Sequence, residues 1–136
     1  MTSTEETTSR SPIGALGDRM GMVLIEAGPQ RVVITMPVAG NTQPYGLLHG
    51  GANAVLVEQA GSIGAAMHAG PDHLVVGLDI TCTHHRGVRD GIVTAVAEPL
   101  SLGRTVTSYE VRITDDEGRL VCTGRLTCLI RPVTPT

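Results

Sequence analysis

The 136-residue chain has no phenylalanine, no tryptophan and no lysine, and its only aromatic rings besides histidine are Tyr45 and Tyr109. Without rings, a run of stacking platforms for nucleobases or flavins cannot be assembled. The core must be aliphatic, drawn from Val, Leu, Ile, Ala and Met. All ten basic residues are arginine. The planar guanidinium suits phosphate and carboxylate, although a codon bias accounts for the missing lysine equally well. A net charge of −3 offers no basic footprint for a nucleic-acid partner. No apolar run reaches the roughly 18 residues of a membrane-spanning helix without Gly, Pro or charge. Cys82, Cys122 and Cys128 cannot all pair, and none stands in a C-x-x-C spacing. The opening Met-Thr-Ser-Thr-Glu-Glu lacks the basic and apolar regions of a signal peptide. These features predict a reduced, cytoplasmic setting.

What is present is enough to fold. Apolar residues make up 41% and charged residues 17%, a balance that excludes a disordered chain. The length predicts one domain, able to bury about two thirds of its unfolded surface. Residues 1–12 (Thr, Ser, Glu, Pro) and 131–136 (two prolines) read as tails around a domain at 13–130. Two β-branched runs, 21–27 and 30–38, flank Gly28-Pro29 as a hairpin. Residues 50–69 form an Ala-, Leu-, Val- and Gly-rich stretch closed by Gly70-Pro71, which predicts a single helix. Four β-rich runs follow at 74–85, 91–100, 104–114 and 119–130, the last two joined by the turn Asp115-Asp116-Glu117-Gly118. The layout β-β-α-β-β-β-β predicts an α+β domain, an antiparallel sheet with one long apolar helix.

Four glycines in that helix (Gly50, Gly51, Gly61, Gly64) would each cost about 0.5–1 kcal/mol, which points to close approach by another element. Glu58 is the only charged residue between Gly50 and Ala66. A helix apolar around most of its circumference is buried, so Glu58 is expected in a low-dielectric setting and is a candidate for acid–base work. A solvent stripe or a dimer seam would also accommodate it. Ser62 lies one turn on, within reach of Glu58, though mid-helix serines often bond their own backbone. Just before the helix stands Tyr45-Gly46-Leu47-Leu48-His49-Gly50-Gly51. The first amides of a helix lack internal acceptors and carry the positive pole of its dipole. Glycines there let a ligand oxygen reach the backbone, as an oxyanion hole requires; a turn needing positive φ would explain them too. His49 is readable as a cap or a packed ring, and Gln43 as a loop residue able to donate and accept.

Taken together, Gln-Pro-Tyr-Gly-Leu-Leu-His-Gly-Gly-Ala (43–52), Glu58 and Gly-Ser-Ile-Gly-Ala (61–65) resemble the hotdog-fold acyl-CoA thioesterases. The similarity is greatest to the branch whose acid is a glutamate on the central helix. That branch includes the 1,4-dihydroxy-2-naphthoyl-CoA hydrolases of menaquinone synthesis, the proofreading thioesterases of enterobactin synthesis and 4-hydroxybenzoyl-CoA thioesterases. The resemblance continues through residues 77–86, 98–104 and the terminal hairpin. It implies Glu58 as nucleophile or general base and Gln43 holding water or thioester. It implies the Gly50 N–H as donor to the carbonyl, with His49 and Ser62 orienting substrate and water. For coenzyme A it implies contacts from His84, His85 and Arg86 and from Ser101, Gly103 and Arg104, where guanidinium and imidazole would answer phosphate. It implies no cofactor. A metal on His84 and His85 would need third and fourth ligands that the spacing does not supply. The absence of Phe and Trp leaves the acyl group, aromatic or medium-chain, open.

Eight residues separate Gly50 from Glu58, about 12 Å along a helix at about 1.5 Å per residue. A carboxylate and an oxyanion donor must each come within about 3 Å of the reacting atoms, so one helix cannot supply both. Two antiparallel copies can, which predicts a C2 homodimer with shared sites and accounts for the small residues on the helix. The family suggests further pairing into a homotetramer. Rival readings are a hotdog hydratase or dehydratase, which would combine Asp and His in another pattern, and a non-catalytic acyl-CoA binding module, which would not need Glu58.

Overall fold

A computed structural model of the chain describes residues 11–133. Six antiparallel strands form one sheet, β1 (Val23–Glu26), β2 (Val32–Pro37), β3 (His73–His84), β4 (Ile92–Leu102), β5 (Val106–Thr114) and β6 (Leu120–Pro132). Their spatial order is β1-β2-β4-β5-β6-β3. The helix α2 (Gly50–Ala69) follows β2, packs on one face of the sheet and delivers the chain to the far edge, where β3 pairs with β6. This is the hotdog arrangement, with the sheet wrapped around one long helix.

The helix has the span that the sequence predicts, and its ends have local causes. His49 caps the N-terminus, its Nδ1 accepting from the Gly51 N–H at 2.8 Å. Gly70, at φ +84°, ends it in a conformation that other residues avoid, and Pro71 cannot continue it. A short helix α1 (Gly14–Arg19) was not predicted; its sequence GALGDR shows no apolar period. The tails at 1–10 and 134–136 lie outside the described residues. At the other margin, Arg131 and Pro132 are not tail: they extend β6 opposite Leu74 and His73.

The core lies between helix and sheet. Leu56, Val57 and Ala60 of α2 meet Ile34 and Met36, Val93 and Ala95, Val111 and Ile113, and Leu126, all almost without exposure. Gly61 and Gly64 set the helix height. A Cβ on Gly61 would stand 2.7 Å from the Leu126 side chain, and one on Gly64 2.6 Å from the Tyr109 ring. These two glycines therefore serve close approach to the chain's own sheet, which corrects their attribution to a partner helix. Tyr109, wholly buried, donates its hydroxyl to the Pro29 carbonyl.

Only one side of α2 is covered. Its buried residues are Ala52, Asn53, Leu56, Val57, Ala60, Gly61, Gly64 and Ala65, whereas Glu58, Ala66 and Met67 are exposed. The expectation of a helix buried around its circumference, with Glu58 in low dielectric, is not met within one chain. The apolar excess faces outward beside β3, a 12-residue edge strand carrying exposed Leu74, Val76 and Leu78. Long apolar edges invite a further strand.

Candidate active site

The loop between β2 and α2 is fastened at several points. Asn41 donates its amide to the carbonyls of Met20 and Pro37 at 2.7 and 2.8 Å. The His49 N–H reaches the Asn41 carbonyl at 2.8 Å, and the Leu48 N–H the Val88 carbonyl at 2.7 Å. Within it, residues 43–47 make a tight turn, with Gly46 at φ +82°. Gln43 Oε1 accepts from the backbone N–H groups of Tyr45 and Leu47. Its oxygen is thus engaged, and the side-chain NH₂ is left to act as a donor.

The two helix-opening glycines differ. The Gly51 N–H is consumed by His49 Nδ1, so the neutral His49 ring carries its proton on Nε2. The Gly50 N–H, at the first helical position, has no acceptor among the described residues. Gly50 opens onto a cleft of about 350 Å³ lined by Gln43, Asn53, His84, His85 and Arg86, with Leu47, Leu48 and Gly87 completing the wall. Five residues singled out from sequence (Gln43, Gly50, His84, His85, Arg86) therefore converge. His85 Nε2 lies 2.8 Å from the Thr123 hydroxyl. His84 turns the other way, over Gly50 and towards Asn53.

Other predicted residues lie elsewhere on the protomer. Glu58 sits two turns along α2, its Oε2 only 2.8 Å from where a Cβ on Gly77 of β3 would stand. Ser62 does not bond Glu58. It acts instead on Cys128, whose thiol burial pushes up in pKa and the serine hydroxyl pulls back. Gly103 and Arg104 form the β4–β5 turn, closed by a 2.9 Å bond from the Gly103 N–H to the Val106 carbonyl; Ser101 lies at the end of β4. A Cβ on Gly103 would meet that carbonyl oxygen at 2.5 Å, so the turn requires glycine. This turn borders a second cleft of about 350 Å³ with His68, His73 and Arg104, beside the C-terminal end of α2. His68 Nε2 anchors it, 2.8 Å from the Gly103 carbonyl oxygen. The 84–86 and 101–104 groups thus stand at opposite ends of a 20-residue helix, about 30 Å apart at about 1.5 Å per residue.

A sequence profile described as the thioesterase superfamily matches residues 45–122. The chain belongs to the thioesterase superfamily. It is 40% identical over 128 residues to the proofreading thioesterase EntH of Cronobacter sakazakii, covering 93% of each chain. The EntH of Cronobacter turicensis is 39% identical over 128 residues, again 93% of each. Among solved structures, a thioesterase of Haemophilus influenzae superposes with a TM-score of 0.85 at 35% identity, over 89% of this chain and 85% of that one. The thioesterase is accordingly a hotdog-fold thioester hydrolase. Sequence reasoning passed over two residues that stand beside the candidate ones, Asn53 in the cleft and Gly77 against Glu58. Asn53 was visible as an amide among apolar helix positions, and Gly77 carried no local signal.

Proposed function

We propose that the thioesterase hydrolyses an acyl-CoA, aromatic or medium-chain, to the free acid and coenzyme A, in the cytoplasm, at sites shared between two chains. The observation that carries this reading is that the Gly50 N–H, without an acceptor among the described residues, and the Gln43 side chain line one cleft. Both donors face one cleft, where a thioester carbonyl would receive them as charge develops on its oxygen. Glu58 of the partner chain takes a proton from the attacking water and passes it to the leaving thiolate. Alternatively it attacks the carbonyl carbon itself to form a mixed anhydride that water then hydrolyses to the free acid. Charge collects on the carbonyl oxygen, the C–S bond breaks, and the coenzyme leaves as thiolate and is protonated. His49 and Ser62 orient substrate and water. His84, His85 and Arg86 of one chain and Ser101, Gly103 and Arg104 of the other hold the coenzyme, whose phosphates suit guanidinium groups.

Two separations support the shared site. Gly50 and Glu58 are about 12 Å apart along the helix, and the two arginine-bearing groups about 30 Å. An antiparallel pairing of β3 with a second β3 brings opposite ends of two protomers together and covers the apolar edge. Such pairs would associate further into a homotetramer.

Complementation tests this. Gln43→Ala and Glu58→Ala homodimers should each be nearly inactive. A mixed dimer carries both lesions at one site and none at the other. Random reassembly makes about half the dimers mixed, so about a quarter of wild-type activity returns by the symmetry of a C2 pair. No recovery in verified mixed dimers would refute the cross-chain site.

A further inference from the structure

The Asn53 side chain breaks two local rules. It places an amide at a buried helix position, 3% exposed, and its Oδ1 has no hydrogen-bond partner among the described residues. An unsatisfied buried acceptor costs about 1–3 kcal/mol, and such violations concentrate at functional sites. Its Nδ2 faces His84 Nδ1 at 3.4 Å. With an amide nitrogen on that side, the N–H donates, Nδ1 accepts, and the neutral imidazole carries its proton on Nε2. The ring lies flat over Gly50: a Cβ there would be 3.2, 3.3 and 3.6 Å from Nε2, Cε1 and Cδ2. Three nearly equal distances describe the face of the ring, not its edge. Glycine is the residue that permits this stacking, and Nε2 is the ring atom nearest to it. Both residues line the same cleft.

We propose that His84 is a catalytic residue whose Nε2–H joins the Gly50 N–H in holding the thioester carbonyl oxygen, and that Asn53 is the positioning residue that fixes its tautomer. This rests on the acyl-CoA reading above and changes it at one point. His85 and Arg86 remain for the coenzyme, while His84 serves the reacting group. Two donors from different elements, one backbone and one ring, would define the oxygen's position better than either alone, and a neutral imidazole donates without adding a charge that the free acid product would retain.

Steady-state kinetics on an acyl-CoA and on the matching S-acyl-N-acetylcysteamine separates the roles. His84→Ala should lower kcat by about 10²-fold or more on both substrates, the loss typical of one oxyanion donor, with KM little changed. His84→Gln, which keeps a neutral N–H, should recover part of that kcat. Asn53→Ala should lower kcat less. A raised KM on the CoA ester alone, with the short thioester indifferent to His84→Ala, would overturn the proposal and return His84 to the coenzyme. The tautomer has its own readout. Long-range ¹H–¹⁵N spectra of the wild-type protein should show His84 protonated at Nε2 and accepting at Nδ1, with a tautomer mixture in Asn53→Ala. A proton on Nδ1 in the wild type would overturn the role given to Asn53. Wild-type protein that turns over no CoA thioester would overturn the acyl-CoA reading and the catalytic role together, whereas the spectra judge the Asn53–His84 pair regardless of turnover.

Discussion

Gly77→Ala puts the position of Glu58 to a direct test without touching the carboxylate. Gly77 is not among the glycines with positive φ, so alanine fits its backbone. Its new Cβ would stand 2.8 Å from Glu58 Oε2 and 3.7 Å from Leu126 Cδ1. The second distance is ordinary contact. The first is not, since ordinary contact begins near 3.4 Å, so the carboxylate oxygen must withdraw by about 0.6 Å. That oxygen ends a flexible side chain on the uncovered face of α2, so the fold absorbs the shift at little cost. Replacing glycine by alanine inside a strand is itself favourable by about 0.5–1 kcal/mol, worth up to a few degrees in Tm for a domain of this size. Catalysis is less tolerant. A misplacement of about 1 Å can cost about 10²-fold, so about 0.6 Å predicts a fall in kcat on the order of tenfold. Stopped-time release of free thiol from an acyl-CoA, alongside thermal melts, measures both. The double variant Gly77→Ala/Glu58→Gln should be no slower than Glu58→Gln alone, because the two changes act through one group. A kcat within twofold of wild type in folded Gly77→Ala would refute the placement of the working carboxylate against β3.

Three further outcomes are expected. Gly64→Ala drives a Cβ to 2.6 Å from the buried Tyr109 ring, and overpacking of this kind costs about 1–3 kcal/mol; a Tm within a degree of wild type would show that the helix is not held at this height. Burial pushes the Tyr109 hydroxyl up to about 12 from 10.0 and the Cys122 thiol up to about 12 from 9.0. The unfolded chain then loses these protons first, so denaturant melts should show stability falling between about pH 9 and pH 12, less steeply above pH 10 in Tyr109→Phe. Leu78→Arg places a charge on the exposed β3 edge, where Leu78 is 58% exposed. Charges block strand addition at an edge, so sedimentation should show monomers, and activity should fall with the dimer; an unchanged assembly would move the interface away from β3.

Much of the fold was legible because its boundaries are chemical. Gly-Gly after His49 and Gly70-Pro71 bracket α2, and Asp115-Asp116-Glu117-Gly118 closes the last hairpin through Asp115, which accepts from the N–H groups of Glu117 and Arg119. Burial was less legible. Periodicity says that a helix face is apolar, and it does not say which chain covers it. That is why the apolar surround of Glu58 read as a core position while the carboxylate stands exposed on the protomer. The small residues misled for a related reason, since Gly61 and Gly64 admit Leu126 and Tyr109 of the same chain, contacts between residues far apart in sequence. Asn53 shows the opposite case. Its amide looked incidental in an apolar helix and acquires meaning only when β3 brings His84 alongside. What sequence and structure supply jointly is the length argument. Eight residues of α2 separate Gly50 from Glu58, and nearly the whole 20-residue helix separates the 84–86 run from Arg104. The antiparallel pairing proposed above would carry Glu58 of one chain to the Gly50 end of the other, whereas a one-chain site leaves the two about 12 Å apart along the helix.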